Sequence, residues 1–182
     1  MKKHRPGCCA GGMRRRAAHW FRKITSWKLA SEKYNQFVWI DCDCVFLKTL
    51  PEDIVKKLMN NHPVRFHHGR LRSRVGTGIE TGLVLWNVKQ KGKEVIDNIC
   101  EKMLDGSFRK QKRWDDAWML TVVAQEMGLL GSGDLVPNTT AADPIRVAGP
   151  LCKYMTHKKG IHWKKYGVNS QRYTNEVSED MG

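Results

Sequence analysis

The sequence predicts an α/β layered fold with flanking helices. Short apolar runs rich in aromatic and branched residues alternate with amphipathic helical stretches, and the breaks between them fall at glycine and proline. Residues 17–33 carry a helical pattern in which Ala18, Phe21, Trp27 and Ala30 can share a face, with Arg22, Lys23 and Lys28 elsewhere. Residues 36–40 read as a buried strand, and Asp41-Cys42-Asp43-Cys44 follows at its C-terminal end. Pro51 opens a second helix, with Glu52 and Asp53 in the first turn and Ile54, Val55, Leu58 and Met59 as the apolar face. Residues 64–66 and 83–86 read as further strands, separated by an Arg- and Gly-rich loop from His67 to Gly78. Residues 94–104 form an amphipathic helix lined by Val95, Ile96, Ile99 and Met103. Residues 114–127 form another, with Asp115 and Asp116 in its first turn. The stretch 128–150 is broken by Gly131, Gly133, Pro137, Pro144 and Pro150 and reads as loop with a short strand at 135–136.

With 182 residues, 41% of them apolar, the chain holds one domain or slightly less than one of the larger α/β type. Residues 1–16 lack periodicity and read as a disordered basic arm, and 167–182 as a flexible tail. No apolar stretch approaches the roughly 20 residues that span a bilayer, and no apolar segment follows the basic N-terminus as in a secretory signal. A cytoplasmic setting is the expectation, and it suits the six cysteines, which show no two-residue zinc or redox spacing. Cys42 and Cys44 could offer two zinc ligands from one strand face, but two more are not evident. The formal charge is +14 and the pI near 9.7; residues 1–33 contain ten Lys or Arg and one acid, Glu32. Such a surface attracts polyanions, whether nucleic acid, anionic membrane lipids or nucleotide diphosphates.

The chemistry centres on Asp41 and Asp43. In an extended segment, residues i and i+2 face the same side. Two carboxylates there repel unless a cation lies between them, and hard divalent ions complete their shell with phosphate oxygens. Far along the chain, His157 is followed by Lys158, Lys159, Gly160 and Lys164. A histidine can ligate manganese, lysines offset phosphate charge, and glycine permits close backbone approach. The remaining histidines, His67 among them, have no assigned role and read mostly as surface residues.

Together these elements resemble GT-A glycosyltransferases, especially the retaining kind related to glycogenin and bacterial galactosyltransferases. The resemblance spans about residues 17–166 and implies a metal held by Asp41, Asp43 and His157, with Gly160 and Lys164 on the donor diphosphate. The order here differs from the family's, since Trp163 precedes Lys164 and no proline follows, so Lys159 and Lys165 are alternatives. Residues 80–87 resemble the family strand beside the donor sugar, which implicates Glu80, Thr81 and Gly82. Asp115 and Asp116 resemble the acidic helix start that binds sugar hydroxyls or supplies a base, and Arg22 and Lys23 match a basic donor contact. The resemblance implies Mn2+ or Mg2+, a UDP-sugar donor and a glycan, lipid or protein acceptor. Arg70, Arg72 and Arg74 could close over the donor. Only forty residues precede Asp41, so the base-binding βαβ unit that starts such a domain is expected to be lacking, which would expose an edge strand. Two alternatives stand beside transfer: a basic nucleic-acid binder using seven tryptophans, and a non-catalytic interaction domain derived from a glycosyltransferase.

Overall fold

A computed structural model describes residues 17–69, 78–136, 145 and 149–158. The expected arm at 1–16, the arginines 70, 72 and 74, the segment with Gly160 and Lys164, and the tail lie outside the described residues.

The fold is mixed α/β. Helix α1 (Ala17–Lys33) leads into strand β1 (Gln36–Ile40), a turn and the short strand β2 (Cys44–Phe46). Helix α2 (Glu52–Met59), strand β3 (Val64–Gly69) and the long strand β4 (Gly78–Asn87) follow. Then come α3 (Gly92–Leu104), α4 (Asp116–Glu126), the single turn α5 (Leu130–Gly133) and β5 (Met155–His157). The strands form two small antiparallel sheets, one ordered β1-β4-β3 and one pairing β2 with β5.

Strand β4 is the centre of the molecule, buried along nearly its whole length because it is covered on both faces. On one face Val84 and Trp86 meet Ile24 and Trp27 of α1, Ile96 and Ile99 of α3, and Leu120 and Val123 of α4. On the other, Leu83 and Leu85 meet Met59 of α2, Ile145, Leu151 and Met155. The pairing of β4 with β3 slips between Arg65 and His67. Ile79 belongs to the first cluster, whereas Gly82 lies against His157 and Ile145 and Leu83 belongs to the second. That irregularity puts Gly82 and Leu83 consecutively on the same face, as a β-bulge does.

Several expectations are corrected. Lys23 belongs to the buried side of α1 together with Ile24 and Trp27, whereas Ala18 is exposed. The loop expected from His67 is strand as far as Gly69, because His67 and His68 pair with Glu80 and Ile79. No strand forms at 135–136; Leu135 N–H donates to the Phe66 carbonyl beside an isolated Phe66–Asp134 bridge, and α5 turns the chain just before it. Asp115 lies outside its helix as the N-cap, accepting from Trp118 N–H. Strand β1 lies at the edge of its sheet among the described residues.

His67 is the other correction. It is fully buried rather than on the surface, both ring nitrogens lack hydrogen-bond partners among the described residues, and burial pushes its pKa down from 6.5 to about 4. A histidine that is neutral when folded and protonated when unfolded loses stability as pH falls. Its contribution is intact above pH 6.5 and is lost progressively down to about pH 4. The expected result is that His67→Phe flattens the acid limb of a stability-versus-pH curve by roughly 2–3 kcal/mol. An unaltered limb in chemical denaturation at stepped pH would show that other groups drive it.

Candidate functional site

The turn at Asp41–Cys44 joins the two faces of the sheet. Asp41 N–H donates to the Gly82 carbonyl at 2.9 Å, extending the β1–β4 ladder by one rung. The chain then reverses, with Cys44 N–H donating to the Asp41 carbonyl at 2.9 Å, an i to i+3 turn. The two aspartates therefore do not share a face as an extended strand would require. Asp41 follows the side of Trp39, and Asp43 is carried to the opposite side, against β5.

On the Asp41 side, Lys23 is the hub. Its ammonium donates to Asp41 Oδ1 at 2.7 Å and to the Thr81 carbonyl at 2.9 Å, and it lies 2.9 Å from Asp116 Oδ2. Thr81 Oγ1 donates to Asp116 Oδ2 at 2.6 Å, and Trp39 Nε1 donates to Asp41 Oδ1 at 2.7 Å. The rings of Trp27 and Trp39 flank the ammonium at 5.8 and 5.4 Å from their centroids. Burial pushes the Asp116 carboxyl above its ordinary pKa, against the pull of Lys23 and of the Thr81 hydroxyl. One cation thus serves two carboxylates, one of them buried.

On the Asp43 side, His157 Nε2 and Asp43 Oδ1 are 3.0 Å apart although 114 residues separate them in sequence. Two backbone features bring them together. Cys44 and His157 are directly opposite in the β2–β5 register, and Lys158 N–H donates to the Asp43 carbonyl at 2.8 Å. The ring of His157 lies over Gly82, where a Cβ would fall 2.9 Å from Cε1 and 3.2 Å from Nδ1. The Cys44 thiol donates to the Gly82 carbonyl at 3.4 Å. One ligand atom each from Asp43, Cys44 and His157 fits within 4.8 Å, a spacing suited to one metal ion.

The structure thus gathers Lys23, Asp41, Thr81 and Asp116 on one side, and Asp43, Gly82 and His157 on the other. Glu80 stands opposite His67 in the β3–β4 register, on the far side of the strand from Thr81. Arg22 is exposed. Asp115 is taken up structurally: beyond its capping bond it accepts from Arg113 Nε at 2.8 Å and Nη2 at 3.0 Å, a bidentate pair. Cys44 was weighed as a ligand only together with Cys42; its grouping with Asp43 and His157 depends on β2 pairing with β5, and neither three-residue strand has a periodic signal. Cys42 is exposed, while Cys44 is part-buried.

No protein-family model matches the chain, and neither a curated protein nor a solved structure is significantly similar to it. Among the described residues no helix is long and apolar enough to cross a membrane.

Proposed function

We propose that the chain binds a nucleotide-sugar through a divalent cation and transfers the sugar to an acceptor, as a glycosyltransferase of the GT-A kind. The observation that carries this reading is the meeting of Asp43 and His157 at 3.0 Å beside a turn whose other aspartate is held by a buried lysine. One carboxylate with one imidazole suits Mn2+ better than Mg2+, with the remaining positions open to phosphate oxygens. Such an ion offsets the charge that builds on a departing diphosphate.

The chain's own residues act around it. Asp43 and His157 hold the cation, while Asp41 is held by Lys23 and Trp39 on the other side of the turn. Arg22, which is exposed, supplies positive charge to the donor, while Lys23 is committed to Asp41 and Asp116. Thr81 orders Asp116 through its hydroxyl, and Glu80, on the other side of the strand, receives a sugar hydroxyl. Asp115 fixes the start of α4 and so the position of Asp116. The nucleic-acid alternative loses two of its seven tryptophans as stacking surfaces, since Trp27 and Trp86 are fully buried.

Calorimetric titration with uridine diphosphate, with and without Mn2+, tests this reading. Binding is expected only with the metal, and Asp43→Asn is expected to abolish it while leaving the circular dichroism unchanged. Metal-independent binding, or none by the folded chain, would overturn it.

A further inference from the structure

We propose that Asp43, Cys44 and His157 form a zinc-selective site, in which a thiolate replaces the second aspartate of the ligand set implied by the sequence motif. The proposal shares with the reading above the assignment of Asp43 and His157 as metal ligands, but it needs no nucleotide and no sugar transfer. Its basis is the ligand chemistry and the way the backbone assembles it.

The three donors are an oxygen, a sulfur and a nitrogen within 4.8 Å of one another. Asp41 lies outside this group, because Lys23 and Trp39 both donate to its Oδ1 at 2.7 Å. Mn2+ and Mg2+ prefer oxygen-rich shells, whereas thiolate with imidazole favours zinc. Three protein ligands leave a fourth tetrahedral position open, the arrangement of sites that bind a water or a substrate oxygen. The thiol proton, now shared with the Gly82 carbonyl, leaves to solvent when Zn2+ binds.

The site is built before metal arrives. Cys44 and His157 are cross-strand partners, a relation that sets their β-carbons about 5 Å apart. The Lys158 N–H to Asp43 carbonyl bond, at 2.8 Å, fixes the turn against the same strand end. His157 is 5% exposed and rests on a residue with no side chain, so its ring has little freedom to leave. Preorganisation of this kind spares the ordering cost that a surface cluster meets on binding.

The test uses the full chain, stripped of metal and titrated without nucleotide. Zn2+ is expected to bind one per chain and more tightly than Mn2+. Co2+, as a spectroscopic stand-in for zinc, is expected to give thiolate-to-metal charge-transfer absorption and the visible bands of a tetrahedral site. Cys44→Ser is expected to remove the charge-transfer band and weaken Zn2+ by roughly 100-fold, at or beyond the range for disturbing a ligand's own hydrogen-bond partners. Cys42→Ser and Asp41→Asn are expected to keep the band, and circular dichroism of each variant reports folding. A second variant, His157→Gln, is expected to lose the tetrahedral bands if Cys44→Ser proves unfolded. Octahedral Co2+ spectra, a band that survives Cys44→Ser, or equal affinity for Mn2+ and Zn2+ would each overturn the proposal. Zinc binding through Cys44 with no response to uridine diphosphate would uphold this site and reject the sugar-transfer reading.

Discussion

Lys23→Met is expected to destabilise the fold by about 3–5 kcal/mol, the range for removing one partner of a buried ion pair. In a chain of this size that lowers the melting temperature by on the order of 10 °C. Methionine keeps most of the aliphatic length of lysine, so packing against Trp27 and Trp39 changes little. What is lost is the cation between Asp41 and Asp116, whose side chains are 31% and 3% exposed. Asp41 can recover solvent, but Asp116 cannot. Its carboxyl already sits above its ordinary pKa because it is buried, and Lys23 is the strongest influence pulling it back down.

The sign of the pH dependence follows. A raised carboxyl pKa means that the folded state takes up a proton more readily than the unfolded chain, so acid relieves the strain of a lone buried carboxylate. The deficit of Lys23→Met relative to the native chain is therefore expected to be greatest at neutral pH and to shrink as pH falls and Asp116 is protonated. Adding Asp116→Asn is expected to restore much of the loss, since an amide can still accept from Thr81 without carrying charge. Thermal melts of the two single variants and the double variant close this cycle. A deficit that is the same at every pH and untouched by the second substitution would place the lysine's role in packing instead of charge.

How much of this could be read in advance depends on which interactions are local. The helices at 17–33, 52–59 and 92–104 declare themselves through periodicity and turn residues, because a helix's apolar stripe is written within one segment. The Asp-x-Asp motif was legible; His157 was joined to it only through the family resemblance, and of the two aspartates only Asp43 meets it. The geometry of the motif was not. Strand periodicity sends residues 41 and 43 to one face, but the turn closed by the Asp41 carbonyl and Cys44 N–H sends them apart. Lys23 was legible as a basic contact but not as a buried one, since a lysine on an apolar face looks like an error until Asp41 and Asp116 are seen to meet it. His67 gave no signal because Gly149, far away in sequence, lies beside its ring. The short strands β2 and β5 are held by one another, so neither could be found alone.

Gly82 illustrates the same point and makes the sharpest prediction for the metal site. Its backbone φ lies in the range open to any residue, so the position does not require glycine for conformational reasons. It requires glycine for space. A Cβ there would meet His157 Cε1 at 2.9 Å, Nδ1 at 3.2 Å and Ile145 Cδ1 at 3.3 Å, and valine adds two methyl groups beyond that. Ile145 is fully buried and His157 nearly so, so the added atoms must displace one of them, and the His157 ring lies nearest. Gly82→Val is therefore expected to weaken metal binding by on the order of 100-fold, a loss comparable to disturbing a ligand's orientation. It is also expected to cost about 1–3 kcal/mol of stability as an overpacked core position. Gly131→Ala provides the comparison, since nothing lies within 4 Å of a Cβ there. Metal titration and thermal melts of both variants separate the outcomes. Loss of affinity in Gly82→Val alone, in a chain that still melts cooperatively, means that the sheet holds the imidazole in place through the absence of a side chain. Unchanged affinity in Gly82→Val would mean that His157 is not a ligand, and the metal reading of this site would fall with it.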